Sequence, residues 1–479
     1  MTLLCCVDIG SSSLKAALID LSGASWGEVR VPYGGEETPR KWLWAFYAAL
    51  EALGSTGAGK ASALIISGNG PTLVPVIEGE DSGNLESLSP VYWYDGPLRL
   101  PEPARPGSGR AGKVPVRSPS LFLAKAAQFR RANPAGFQRL HRFFSPQEWL
   151  AWRLGAEEVT VIPHRGYETY YWDEEQCQAL GLKLSFFPPF VGMGKPIGRL
   201  SFRDDPADNP GADNRRHPAD LLPPGIPLIA AASDFIMALI GTNTLESGRA
   251  CDRTGSSEGI NLCTAERPSG EYPKLRILPG AVEGSWNLGV VIPRSGRCFD
   301  EYRRAAGLEE RSPRELIAEI LDDPFHPGRP VLEGMGRAFL GALGDLEAAG
   351  MVRELVLSGG QAGDPRWNQY KADLSGRILY IPAIIDAELA GNAVLGALAL
   401  EELSGTEARD GVDGGGKAPG SSPFGERLRA RASSMIRTVR SYSPKFPRGG
   451  PEPRELSIHR TDKAWYTGPH EGASGGDCT

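Results

Sequence analysis

The sequence predicts an α/β protein built from two similar lobes, and three observations lead to this prediction. Predicted strands and helices alternate along most of the 479 residues. A strand, a turn of glycine and hydroxyl residues and a second strand occur twice, at residues 3–20 and 248–263. A polar, proline-rich stretch at 205–225 is either a surface insertion or the approach to the boundary between the lobes.

In the first lobe, LLCCVDIG and LKAALIDL predict two strands joined by a Gly/Ser turn. Residues 41–53 have helical periodicity, and residues 61–68 and 91–96 (VYWYDG) predict further strands. Residues 120–140 predict a helix that breaks at Asn133-Pro134. The helix at 145–155 begins with Ser145, Pro146 and Glu148, which is the pattern of a capped helix start.

In the second lobe, IPLIAAAS predicts a strand that ends before Asp234, and DFIMALIGTNTL predicts the helix that follows. Further helices are predicted at 330–350 and 386–403. The segment 354–376 predicts a strand, a Gly-Gly turn and a helix opened by Asp364 and Pro365, and ILYIP predicts another strand.

Composition argues against several classes of protein. The net charge of −6 is unlike a nucleic-acid surface, and no window approaches the roughly 20 apolar residues of a membrane span. The N-terminus lacks the basic region of a signal peptide. Seven irregularly spaced cysteines favour reduced, buried residues in a cytoplasmic protein, and six scattered histidines show no metal-ligand spacing.

The two Gly/hydroxyl turns are candidates for phosphate binding. Exposed backbone N–H groups in a tight turn form an anion-binding concavity, and hydroxyl groups add donors. Each turn alone is more often a plain hairpin, but two with acids nearby carry more weight. Their residues are Gly10, Ser11, Ser12 and Ser13 in the first turn, and Thr254, Gly255, Ser256 and Ser257 in the second.

Three predicted strands end in an acid: Asp8, Asp95 and Asp234. Ligands of open α/β sheets bind at the carboxyl ends of strands, so these carboxylates are candidate site residues. The alternative is that they cap helices or turns, which suits Asp234 but not Asp8, because a turn and another strand follow Asp8. An acid beside a phosphate pocket points to Mg²⁺.

Gly359-Gly360 follows a strand and precedes a helix, where missing side chains let a flat ligand approach the backbone; a simple turn is the alternative. Neither a GxGxxG nor a GxxxxGK[ST] motif is present.

The aromatic run at 167–173 is more typical of core packing than of a sugar platform. On a strand, Trp93 and Asp95 would share one face.

Taken in order, the segments VDIGSSSLKAALID, VYWYDG, IPLIAAASDFIMALIG, RTGSSEG, LVLSGGQAGDPRWNQYKADLSG and DAELAGNAVLGALAL resemble those of the FGGY carbohydrate kinases, from about residue 3 to 445. The resemblance implies two ribonuclease-H-like lobes of the actin/hexokinase type with a cleft between them. It places the lobes at residues 1–228 and 229–445, with a disordered tail at 446–479. It also implies phosphoryl transfer from ATP to a sugar or polyol, with a ketopentose such as xylulose as the leading expectation.

The resemblance also implies roles for single residues. Asp234 would be the general base, and Asp8 would help to hold Mg²⁺. Phosphate would contact the two turns and Lys15. The adenosine would lie beside Gly359, Gly360, Gln361 and Asn392. The sugar would face Asn69, Trp93, Asp95, Asp234 and Phe235.

Three segments depart from the family pattern. The strand at 64–68 leads into SGNGPTL without the family's histidine, residues 161–167 (VIPHRGY) replace an acid and small residues, and the region 296–330 is short. A second hypothesis is therefore a non-catalytic or regulatory protein that binds sugar or nucleotide. A third, an actin-like ATPase such as a dehydratase activator, fits the VYWYDG and Asp234 segments poorly. No membrane or nucleic-acid partner is expected, and a homodimer stays open.

Overall fold

The structure is a computed structural model that describes residues 1–35, 37–79, 84–95, 120–201, 221–255, 257–405 and 423–445. Ser256 of the second turn, most of the proline-rich stretch and the expected tail lie outside the described residues. Among the helices described, none combines the length and apolar character needed to cross a bilayer.

The first lobe is built on a six-stranded sheet. Its strands are β1 (Leu3–Ile9), β2 (Ser13–Asp20), β3 (Ser25–Pro32), β4 (Ala61–Gly68), β10 (Pro196–Arg199) and β11 (Pro227–Ser233). They lie in the order β10-β11-β4-β1-β2-β3. Strand β1 is buried along its whole length because it pairs antiparallel with β2 on one side and parallel with β4 on the other.

The second lobe repeats this arrangement in a seven-stranded sheet. Its strands are β12 (Arg249–Thr254), β13 (Glu258–Thr264), β14 (Arg276–Pro279), β15 (Trp286–Ile292), β16 (Glu354–Gly359), β17 (Leu379–Pro382) and β18 (Thr438–Tyr442). The order is β14-β15-β13-β12-β16-β17-β18. Strand β12 pairs antiparallel with β13 and parallel with β16, as β1 does with β2 and β4. The predicted α/β architecture in two similar lobes is therefore confirmed.

Helices and small sheets complete the lobes. The small sheets comprise β5 (Val74–Glu78), β6 (Leu85–Ser87) and β7 (Leu140–Phe144), and the pair β8 (Thr160–Ile162) and β9 (Phe190–Gly192). The helices are α1 (Pro39–Leu53), α2 (Leu123–Ala132), α3 (Pro134–Gln138), α4 (Pro146–Arg153), α5 (Glu168–Tyr171), α6 (Glu174–Ala179), α7 (Asp234–Gly241), α8 (Ser295–Ala305), α9 (Pro313–Asp322), α10 (Arg329–Glu347), α11 (Pro365–Ser375), α12 (Ala387–Leu403) and α13 (Pro423–Met435).

Helices α7 and α12 join the two lobes. Both belong to the core of the first sheet, and Cys251 of β12 belongs to the same core. They approach closely because glycines lie at their contact: a Cβ on Gly241 would come within 1.8 Å of the Ala387 carbonyl oxygen, and one on Gly391 within 2.1 Å of the Met237 carbonyl oxygen. These two glycines therefore allow α7 and α12 to pack closely where the lobes meet.

Three sequence-based expectations are corrected. The strand expected at 91–96 is wrong over its described residues, 91–95: only Val91 bridges to Leu73, and the chain then turns. The lobe boundary at 228/229 falls inside β11, which pairs with β4 of the first sheet. The aromatic run at 167–173 has the spacing of a strand but is helical up to Tyr171, and its rings pack in the core, as the simpler interpretation predicted.

Candidate active site

Asp8 lies next to the first turn, near the end of the central strand of the first sheet. Its side chain is almost fully buried, and Ser67 of β4 donates a hydrogen bond to its Oδ1 atom at 2.8 Å. Burial raises the pKa of Asp8, and the nearby Lys15 opposes this shift. The turn after it is closed by a bond from the Gly10 N–H to the Ser13 carbonyl, which leaves Ser11 and Ser12 exposed at its tip.

Lys15 on β2 contacts carboxylates from both halves of the chain. Its Nζ atom lies 3.6 Å from Asp8 Oδ2, 3.1 Å from Asp386 Oδ1 and 3.3 Å from Glu388 Oε2. Burial alone would lower the pKa of Lys15, but these three carboxylates raise it. Lys15 is therefore a charged ammonium at the base of the first turn.

Asp234 is the first residue of α7, directly after strand β11. Its carboxylate lies 3.3 Å from the Arg253 guanidinium, and the same nitrogen of Arg253 lies 3.1 Å from Glu388 Oε1. Burial raises the pKa of Asp234, whereas Arg253 lowers it. A carboxylate in the first turn of a helix is also favoured by the helix dipole. The side chain is partly exposed, so it can reach a ligand.

Glu388 links the two cations. Burial alone would raise its pKa, but Lys15 and Arg253 lower it to about 2. Five charged groups thus form a chain across the junction of the lobes. We call them the cleft cluster: Asp8, Lys15, Glu388, Arg253 and Asp234.

The second turn is tied to the Gly-Gly segment. The Thr254 hydroxyl donates to the Ser358 carbonyl at 2.8 Å and accepts from the Gln361 N–H at 3.1 Å, while Gly255 is exposed. Gly359 has a φ of +81°, and a Cβ there would lie 2.1 Å from the Thr254 carbonyl oxygen. Only glycine allows this close approach of β16 to β12.

A cavity of about 490 Å³ opens beside these two segments. Backbone of Gly255, Gly296 and Gly360 forms one side of it, and the side chains of Phe299 and Trp367 contribute apolar wall. Its glycine rim and apolar wall suit a flat, partly apolar ligand whose charged end points to the second turn. The short region at 296–330 contributes to this cavity through α8 and α9.

On the sugar side, the structure changes the expected geometry. Trp93 is 41% exposed and donates from its indole nitrogen to Ser11 Oγ at 2.9 Å, so it lies beside the first turn. Asp95 instead accepts from the Tyr92 N–H at 2.7 Å and stabilises its own turn, which is the alternative that the sequence left open. Because there is no strand here, the shared face expected for Trp93 and Asp95 is wrong.

Asn69 and Asn392 are buried structural links. Asn69 donates to Glu37 Oε1 and accepts from the Thr72 hydroxyl, each at 2.8 Å. Asn392 has no exposed surface, and its amide donates to the Val7 carbonyl at 2.8 Å and to Ser67 Oγ at 3.0 Å. Its expected position beside the adenosine is therefore corrected: it holds α12 against the strands that carry Asp8.

Glu388 and Arg253 were missed by sequence reasoning. Arg253 directly precedes the Thr-Gly-Ser-Ser turn. Glu388 lies two residues after Asp386, at the start of a helix rich in small residues. The available signal was the charged pair Asp252-Arg253 in a strand predicted to lie inside a sheet, because buried charges need partners.

Comparisons with known proteins came from sequence and from structure. No protein-family model matches the chain. It is 22% identical to the xylulose kinase of Klebsiella pneumoniae over 431 residues, which cover 77% of this chain and 84% of that protein. It is 25% identical to the L-fuculokinase of Salmonella typhi over 327 residues, covering 60% and 66%.

Solved structures extend the match to nearly the whole chain. The crystal structure of ligand-bound xylulose kinase from Lactobacillus acidophilus superposes with a TM-score of 0.69 at 15% identity, covering 93% of this chain and 94% of that one. The fold predicted from the sequence, two lobes of the actin/hexokinase type, is confirmed by this match.

Proposed function

We propose that the chain is a carbohydrate kinase of the FGGY type, which transfers the γ-phosphoryl group of ATP to a hydroxyl group of a small sugar or polyol. One observation carries the proposal: Asp234 is held by Arg253, which directly precedes the second turn, in a cluster that reaches Asp8 beside the first turn. Phosphoryl transfer depends mainly on positioning and on neutralising charge, and this arrangement offers both.

Asp234 would accept the proton of the acceptor hydroxyl. Burial raises the pKa of Asp234 and Arg253 opposes this shift, and a carboxylate with a raised pKa is a stronger base for the hydroxyl proton. The hydrogen bond from the Phe235 N–H to Asp234 Oδ1, at 2.7 Å, orients the carboxylate and leaves Oδ2 directed to Arg253.

Nucleotide would bind along the second lobe. The adenosine would occupy the 490 Å³ cavity, beside Gly360 and Gln361, because the rim there is backbone and the wall is apolar. The phosphates would run toward the exposed tips of the two turns, where Ser11, Ser12 and Gly255 offer donors. Lys15 lies beneath the first tip as a fixed positive charge.

Mg²⁺ fits this site through one carboxylate. Among the described residues no group of three acidic, histidine or cysteine side chains could hold a metal ion by itself. Mg²⁺ is commonly held by one or two carboxylates together with water and phosphate oxygens, and Asp8 supplies such a carboxylate beside the first turn. The ion would neutralise phosphate charge when nucleotide is bound.

The proposal also covers the acceptor sugar and the cellular compartment. A ketopentose such as xylulose is the first neutral acceptor to test, since the relatives include a xylulose kinase. The exposed Trp93 beside Ser11 would present an aromatic face to the acceptor. We place the reaction in the cytoplasm, as the cysteine content favours.

The decisive test is ATP-dependent ADP release with a panel of ketoses, polyols and sugar acids. Asp234→Asn should lower kcat by about 10²–10⁴-fold with little change in nucleotide affinity, because it removes the base and leaves the nucleotide cavity intact. Asp345→Asn is the control, since Asp345 pairs with Lys274 on the surface of the second lobe. Turnover that survives Asp234→Asn would show that the base is another group.

A second candidate is a binding protein without efficient transfer. Lys15 is held by two carboxylates of the cleft cluster and by Asp386, and Arg253 is held by two carboxylates. The cations that would bind phosphate are therefore already paired. Calorimetry that shows tight nucleotide or sugar binding, with no ADP release for any acceptor, would establish this alternative.

A further inference from the structure

Arg276 is a cation at the active site that the proposed mechanism does not use. It is the first residue of β14, the edge strand of the second sheet. Its side chain is exposed, and with the described residues it forms neither an ion pair nor a hydrogen bond; its contact is with the ring of Phe235, 5.3 Å from the guanidinium carbon to the ring centroid. Phe235 is the neighbour of Asp234 in α7.

The register of the sheet explains why Arg276 points to the site. Cys251, Asn261, Gly289 and Arg276 lie opposite one another across β12, β13, β15 and β14. Residues directly opposite in antiparallel strands share a face, so Arg276 lies on the face of Cys251. Arg253 shares that face, two residues further along β12. Gly289 carries no side chain, so nothing from β15 screens this row.

The first lobe holds β14 in place. The Tyr167 hydroxyl donates to the Pro279 carbonyl, and the His164 ring contacts the Gly280 carbonyl at 3.0 Å through Nε2. Both residues belong to the segment 161–167, which departs from the family pattern in sequence. This segment therefore fixes the strand that carries Arg276 relative to Asp234.

The groups around Arg276 shift the pKa of its guanidinium in opposite directions. Desolvation by the surrounding protein lowers the pKa of its guanidinium, and the positive charge of Arg253 acts in the same direction. Asp234 and Tyr167 oppose this shift, but Asp234 is already paired with Arg253. A guanidinium that is partly desolvated and has no paired carboxylate is a receptor for an anion.

We propose that Arg276 binds a carboxylate of the acceptor, so that the preferred acceptor is a sugar acid rather than a neutral ketose or polyol. The inference rests on the proposed function for the identity of the acceptor site. The planar guanidinium binds a carboxylate through two parallel hydrogen bonds, and Phe235 supports its flat face. The hydroxyl to be phosphorylated would then lie on the Asp234 side of the same molecule.

The test compares acids and alcohols with the same carbon skeleton. Binding of gluconate against glucitol, and of xylonate against xylitol, is measured by calorimetry on the full chain with ADP present. The acid should bind about 10–100-fold more tightly than its alcohol, as expected for a charge-assisted hydrogen bond. Arg276→Gln should abolish this ratio, and Arg276→Lys should retain part of it, which also shows that the site is folded.

Arg267→Gln is the matched control. Arg267 forms the same kind of contact, 5.5 Å from its guanidinium to the ring of Trp286, but does not contact Phe235. In Arg267→Gln, the ratio of the affinity for the acid to the affinity for the alcohol should equal that of the wild type. The proposal is overturned if no acid is preferred, or if the ratio is unchanged in Arg276→Gln, including the case in which acid and alcohol lose affinity equally.

Binding and turnover separate the two proposals. An acid preference that depends on Arg276, without ADP release for any compound, contradicts the kinase proposal and supports the anion site. ADP release with neutral acceptors alone, and no binding of acids, supports the kinase and overturns the role of Arg276.

Discussion

The two strand–turn–strand hairpins are alike in topology but direct their acidic residues to different places. In the β1–β2 hairpin, Asp8 and Lys15 face the junction of the lobes and join the cleft cluster. In the β12–β13 hairpin, Asp252 and Glu258 face the interior of their own lobe, where Lys371 of α11 lies 2.7 and 2.6 Å from them. We call this second group the buried lysine cluster.

The difference separates a cluster whose two cations are partly exposed from a cluster that is fully enclosed in its lobe. Lys15 and Arg253 of the cleft cluster are 14% and 29% exposed, whereas all three members of the buried lysine cluster have no exposed side-chain surface. Lys371 also lies 4.6 Å from the centre of the Phe339 ring. Glu258 accepts a further bond from Ser295 Oγ at 2.6 Å, so the cluster joins α11, the second hairpin and α8.

The largest expected effect is on stability. Lys371→Met leaves Asp252 and Glu258 buried without their cation, and breaking a buried ion pair in this way costs about 3–5 kcal/mol of the free energy of unfolding. Lys274→Met, the control, removes an exposed pair with Asp345 and should cost about 0–1 kcal/mol. Both are measured by denaturant unfolding. Equal effects of the two substitutions would mean that the buried cluster does not hold the second lobe.

The second prediction concerns activity. Glu388→Gln removes the carboxylate that Lys15 and Arg253 share, so both cations shift and kcat/KM should fall by about 10–100-fold, the size of one or two charge-assisted hydrogen bonds. Unfolding should change less than in Lys371→Met, because Lys15 and Arg253 are partly exposed and each keeps another carboxylate partner.

Glu402→Gln is the matched control on the same helix, where Glu402 pairs with Lys195 at the surface. A loss of stability without a loss of activity in Glu388→Gln would place Glu388 with the structural charges and erase the contrast between the clusters.

The sequence predicted features that depend on neighbouring residues, but not the contacts between distant residues that form these clusters. Features held by neighbours along the chain were predictable: the two hairpins, the start of α4 with Ser145 and Glu148, and the cap of α11 by Asp364. VYWYDG was misjudged because its aromatic content is typical of strands, whereas one local hydrogen bond to Asp95 makes a turn. Lys15 and Glu388 are 373 positions apart, and no local pattern brings them together.

The smallest expected effect is a dependence of stability on pH. Burial and the charge of Glu258 raise the pKa of Asp252, Lys371 opposes them, and the result is a pKa of about 8. The folded chain therefore keeps a proton on this cluster that the unfolded chain releases near pH 4, and the free energy of unfolding should fall as pH rises toward 8. Glu388 behaves in the opposite way, because its pKa is lowered to about 2, so it should contribute no slope above pH 6.

Asp252→Asn removes the contribution of the Asp252 proton to the pH dependence of stability. An asparagine keeps an acceptor for Lys371 and can donate to Glu258, so the cluster stays paired but no longer releases the proton. Between pH 6 and 9 the melting temperature of the wild type should fall by several degrees more than that of Asp252→Asn, because releasing one proton over about two pH units corresponds to about 2–3 kcal/mol. Glu388→Gln should follow the wild type over the same range. If Asp252→Asn and the wild type have the same slope, the proton is not shared within the buried cluster, and the two hairpins differ in exposure but not in protonation.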